Sequence, residues 1–192
     1  KLAANGYYSL ACETLNCWIN GKDAETKYYQ YFKSGSGRMP ETKTELFDAY
    51  IAKAFKNDAR VMSNENVKKS RNTFVFQDIL QGNAAKLKAE DIVSLLATDK
   101  TLIHSDKLLK KIGVKKAEEV FRADANDYKL STAQKLMIVN MQLANNPNRK
   151  DALRLIGYAK NYSNSDGVSA KLVVAIPLLI FATFLYEIFM VF

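Results

Sequence analysis

Residues 7–19 read YYSLACETLNCWI. Tyr7 or Tyr8, Ala11, Leu15, Trp18 and Ile19 recur at steps of three and four, which places one apolar stripe on an amphipathic helix. The same spacing returns further along, as Leu46, Phe47, Tyr50, Ile51, Ala54 and Phe55. Only 8 Gly and 3 Pro occur in 192 residues. An all-β chain needs more turns than that, and the 48% hydrophobic content is too high for disorder. The expected fold class is therefore all-α, a small helical bundle of one unit or two.

The punctuation between helices is legible. NGKD (20–23) breaks the first helix, and Asp23 can cap the second, AETKYYQYF. SGSGRMP (34–40) reads as the loosest loop, after which Pro40 or the threonines Thr42 and Thr44 start the third helix. A short polar helical stretch is expected after Ser63, then a separate helix in NTFVFQDILQG stopped by Gly82. KAEDIVSLLAT, SDKLLKKIG with Gly113, and KKAEEVF read as three short helices. Ser131 and Thr132 cap AQKLMIVNMQLA, and RKDALRLIGYAKNY closes a helical head spanning 1–162, with a subdivision near 60–72. SNSDGVSA (163–170) reads as a flexible polar linker.

The final segment, 171–192, is KLVVAIPLLIFATFLYEIFMVF. From Leu172 to Phe192 its one charge is Glu187 and its one proline Pro177. As a helix it would be about 31 Å long, which matches the hydrocarbon core of a bilayer. It is apolar on every side, and Phe181, Phe184, Tyr186 and Phe192 gather in its second half, where Tyr186 and Glu187 suit an interface or a partner helix. The expectation is a single C-terminal membrane anchor. A buried core helix and a cleaved lipid-anchor signal fit less well. Lys160 and Lys171 outweigh Asp166 on the entry side, which favours a cytoplasmic head. The chain opens on Lys1 instead of Met and is read as a processed product or fragment, with any leader peptide out of view.

Catalytic chemistry is not expected. The single histidine, His104, is followed by Ser105 and Asp106, and consecutive side chains diverge too far to act as a triad. One His with Cys12 and Cys17 supplies no four-ligand zinc set, and the two cysteines read as buried thiols. Glu90–Asp91 and Glu118–Glu119 read as solvated helix faces. No cofactor is called for. The net charge is +8, and a dense basic run holds Lys107, Lys110, Lys111, Lys115 and Lys116. With no interleaved aromatics it suits an anionic lipid surface or an acidic partner better than nucleic acid.

Residues 15–56 add a family likeness. LNCWINGKDAETKYYQYF, followed by ELFDAYIAKAF, resembles the WY module of oomycete RXLR-type effectors. In that module a helix ending in Trp and a Gly-Lys turn pairs with a later helix carrying a Tyr. Trp18 with NGKD matches the first part and Tyr50 the second, with Phe55 in the same stripe. A fainter second unit would begin at Phe74, where the Trp position is filled by other residues. The resemblance implies a secreted protein that binds host proteins through a small helical bundle. Trp18, Tyr50 and Phe55 are large core residues under any account. Expected partners are therefore the bilayer and other proteins, and the competing reading is an accessory single-span subunit of a larger membrane complex.

Overall fold

The computed structural model describes residues 7–32, 38–56, 58–123 and 129–145, together with Gly157. Among them every regular element is helical: α1 (Tyr8–Asn20), α2 (Ala24–Phe32), α3 (Lys43–Ala54), α4 (Ala59–Met62), α5 (Glu65–Leu80), α6 (Ala89–Thr98), α7 (Asp106–Ile112), α8 (Val114–Arg122) and α9 (Thr132–Asn145). Short 3-10 turns at Ala84–Lys86 and Lys100–His104 flank α6.

The caps follow from the sequence. Thr42, in extended conformation, accepts a hydrogen bond from the Glu45 amide at 3.1 Å and starts α3. Pro40 therefore precedes the helix instead of opening it. Ser131 and Gln134 form a reciprocal capping box, with Ser131 Oγ accepting from the Gln134 amide and Gln134 Oε1 from the Ser131 amide. At the end of α5, Gly82 (φ +87°) turns left-handed; its amide bonds Ile79 O while the Asn83 amide bonds Asp78 O. That pair of bonds is a Schellman stop, made cheaply only by a residue without a Cβ. Asp23 sits just before α2, and its carboxylate pairs with Lys27 Nζ at 2.9 Å.

One expectation changes in α5. The polar stretch after Ser63 and the FVF segment form one 16-residue helix capped by Asn64, not two separate pieces. Its outward polarity hides a double function. Val67 and Phe74 join the first apolar cluster, with Cys12, Leu15 and Ile19 of α1 and Phe47, Tyr50 and Ile51 of α3. Val75 and Ile79 join the second, with Ile92 and Leu96 of α6, Leu108 and Ile112 of α7, and Val120 of α8. A helix that is buried on two sides loses the one-sided stripe by which such helices are recognised.

Two polar ties fix α5 to its neighbours. The Asp78 carboxylate, fully buried, accepts from the Lys43 amide (3.0 Å), the Thr44 amide (2.9 Å) and Thr44 Oγ1 (2.7 Å). It thus satisfies the first amides of α3 from outside that helix. Arg71 reaches α3 and α6 at once, through Asp48 and Asp91. Asp91 is therefore turned inward to a half-buried guanidinium, in contrast to the solvated face expected for Glu90–Asp91.

Candidate functional site

Trp18 and Tyr50 meet. Their ring centroids are 5.7 Å apart at 68°, an edge-on contact. Tyr28, Tyr31 and Phe32 of α2 complete a cluster around Tyr50, with Tyr31 at 5.2 Å and Phe32 at 5.4 Å from it. Lys53 closes the cluster from the α3 side. Its Nζ donates to Tyr31 O at 2.7 Å and lies over the Tyr31 and Phe32 rings. Phe55 ends α3 and stacks on Tyr8 at 5.6 Å. Tyr50 is 1% exposed, and its hydroxyl has no hydrogen-bond partner among the described residues. Burial, with the adjacent Tyr28 and Tyr31, pushes its ionisation above the usual tyrosine value.

The turn after Trp18 is tight for a stated reason. A Cβ on Gly21 would stand 2.9 Å from Cys17 O and 2.8 Å from Asp23 Oδ1, so the backbone path there admits only glycine without a shift.

Between α1 and α5 lies a shallow cleft of about 190 Å³. Ser9, Cys12, Glu13 and Asn16 line one wall and Asn66, Lys69, Ser70 and Thr73 the other, over Phe74. Both walls follow the i, i+3, i+4, i+7 spacing of a single helix face, a signal that was open to sequence reading but is masked by its polarity. Cys12 is buried at its floor, and burial, against a hydrogen bond from Ser70, raises its thiol pKa. Cys17 is exposed, which corrects the expectation of two buried thiols: it lies five residues on, so the helix carries it round to the outer face. Both thiols are free.

The basic run divides. Lys107, Lys110 and Lys111 of α7 and Lys115 of α8 are exposed. Lys116 is only 7% exposed; it donates to Leu87 O at 2.8 Å and pairs with Glu119. It therefore leaves the anion-facing set, because its stem packs with Ala117 and Val120 on the buried side of α8. Glu119 is likewise paired. His104 ends a 3-10 turn in an exposed position, Ser105 caps α7 by accepting from the Leu108 amide, and Asp106 occupies the first turn of α7. No group of three or more His, Cys, Asp or Glu among the described residues is placed to hold a metal ion.

Several sequence expectations fall outside the described residues: most of the closing helix at 149–162, the linker 163–170, and the apolar run with Leu172, Pro177, Phe181, Phe184, Tyr186, Glu187 and Phe192. Among the described residues no helix is long and apolar enough to cross a membrane. No protein-family model matches the chain, and no curated protein or solved structure matches it significantly.

Proposed function

We propose that this chain is a helical protein-interaction module held at a membrane surface by its C-terminal apolar run, with the head on the cytoplasmic side. One observation carries the reading. The described helices bury their own apolar stripes in two main cores linked through α5 and a smaller cluster around Phe121 and Val139, while the sequence places a separate 21-residue apolar run after a polar linker. A head with its own core and a separate apolar segment divides folding from address, and tethering raises its effective concentration for partners on the same membrane.

The Trp18–Tyr50 contact supports the likeness to the WY module, and with it an effector that binds host proteins. Among the described residues the large apolar side chains left exposed are Tyr7, just before α1, Leu10 of α1, Tyr29 of α2 and Met62 of α4, and they lie in that same N-terminal half. They are the natural seat for a protein partner.

The test is flotation of the full chain with neutral phosphatidylcholine vesicles, followed by a carbonate wash. A chain that floats and resists carbonate supports the anchor. A chain that stays in the aqueous layer, or is stripped by carbonate, overturns it.

A further inference from the structure

We infer that the outer face of α7, continued by the start of α8, is a docking surface for an anionic bilayer. The inference rests on the membrane-tether reading for its setting, but its evidence is in the described helices.

On α7, Leu108, Leu109 and Ile112 are buried, and Lys107, Lys110 and Lys111 stand on the remaining, exposed face. Lys115 follows across Gly113. None of these four ammonium groups has an ion-pair partner among the described residues. Several other cations of the head are committed, Arg71 to Asp48 and Asp91, Lys86 and Arg38 to Glu41, Lys27 to Asp23 and Lys116 to Glu119. Other exposed lysines without an ion pair among the described residues, Lys22, Lys56, Lys69, Lys88 and Lys100 among them, are scattered along the chain instead of gathered on one helix face. On α7 itself Asp106 is the one opposing charge, held in the first turn. The turning inward of Lys116 removes Glu119 from the surface balance by pairing it.

The chemistry favours a diffuse anionic surface over a specific phosphate. All four groups are lysines, flexible point charges without the planar fork by which arginine grips a single phosphate or carboxylate. Gln142, in the last turn of α9, donates to Leu109 O and holds the buried side of α7 against α9, which leaves the lysine face turned outward. Each basic side chain at an anionic leaflet multiplies affinity about fivefold, so four together contribute on the order of several hundredfold.

The test uses the full chain with vesicles of phosphatidylcholine alone or mixed with phosphatidylserine. Lysine acetylation is mapped by mass spectrometry at low and high salt. The expected result is a several-fold loss of labelling at Lys107, Lys110, Lys111 and Lys115 with phosphatidylserine at low salt. It recovers in high salt and is absent at Lys22, in the turn before α2. Equal labelling of the four in both vesicle types overturns the proposal. Protection by soluble polyglutamate but not by phosphatidylserine also overturns it, in favour of an acidic protein. Flotation with the neutral vesicles reads the anchor independently, because a chain without an anchor can still show or fail to show lysine protection on anionic vesicles.

Discussion

Arg71 of α5 closes a two-point ion pair on Asp48 of α3, with Nε to Oδ1 at 2.7 Å and Nη2 to Oδ2 at 2.8 Å. Its remaining nitrogen, Nη1, donates to Asp91 of α6 at 2.8 Å, so one guanidinium joins helices of both cores. Burial opposes its charge, but the hydrogen bonds to Asp48 and Asp91 outweigh that and raise its pKa. Arg71→Ala strands Asp91, which is 13% exposed, and should cost about 2–4 kcal/mol in urea denaturation. Arg71→Lys should recover little, because an ammonium cannot bond both carboxylates in this geometry. A raised folded pKa gives stability that is lost only as pH climbs through that value, so the Arg71→Ala deficit should be flat from about pH 6 to pH 10. A lysine variant as stable as the wild type would sink the argument.

Asp78 presents a second test of the same helix. Its carboxylate serves the Lys43 and Thr44 amides and the Thr44 hydroxyl with no exposure to solvent. Asp78→Ala leaves those three donors without an acceptor, and the expected loss is about 2–4 kcal/mol. Asp78→Asn keeps the size but turns a donor toward donors, so it should lie between the alanine variant and the wild type. Hydrogen exchange should locate the damage: the first turn of α3 opens before α6 and α7 do. Uniform acceleration across the chain would contradict a local cap.

The contrast between these ties and the helices themselves marks what a sequence can disclose. The spacing of Leu15, Trp18 and Ile19, the Thr42 and Ser131 caps and the Gly82 stop are local signals within one turn of the residues they govern, and the helices form where those signals say. Arg71, Asp48 and Asp91 are 20 and 23 residues apart, and Asp78 lies 34 from Thr44. Nothing in the local pattern separates them from solvated charges. Lys116 illustrates the same point. It sits beside Lys115 in a basic run, yet the helix turns one inward and the other outward. The edge-on packing of Trp18 on Tyr50 was not legible in the local pattern, since two large apolar residues 32 positions apart announce a core without announcing each other.

Tyr50 has a hydroxyl with no partner among the described residues in a cluster of four other rings. The ring fills the core, whereas the hydroxyl is desolvated without a bond. Tyr50→Phe should therefore be neutral or stabilise by up to about 1 kcal/mol, while Tyr50→Ala should cost about 3–5 kcal/mol through the cavity it leaves. A double-mutant cycle with Trp18→Ala should return a coupling of about 0.5–1.5 kcal/mol. A large loss in the phenylalanine variant would mean that the hydroxyl is bonded, and the ring cluster alone would not explain its burial.

Gly113 joins α7 to α8 at φ +76° and ψ 158°, a conformation that side chains rarely adopt. No atom lies within 4 Å of where its Cβ would be, so the cost of a side chain is conformational and not steric. Gly113→Ala should lose about 1–3 kcal/mol. Gly113→D-Ala, made by semisynthesis, should recover most of that, because a D residue favours positive φ. Equal losses for the two enantiomers would point to a clash.

The two cysteines report on the α1–α5 contact. Cys12 is 4% exposed on the floor of the cleft, and Cys17 faces outward. Reaction with a disulfide reagent near neutral pH should consume Cys17 quickly and Cys12 slowly, with both equal in urea. Burial raises the Cys12 pKa above its ordinary 9.0, although Ser70 partly offsets it. In the unfolded chain that thiol therefore releases its proton at lower pH than in the fold. Between pH 9 and the higher folded value, the unfolded state binds fewer protons, and stability must fall as pH rises. Cys12→Ala should remove that part of the alkaline decline and add a cavity cost that does not vary with pH. Were Cys12 to react as fast as Cys17 in the native protein, α1 would not be seated on α5, and the core that gathers Leu15, Phe47 and Phe74 would lose one of its walls.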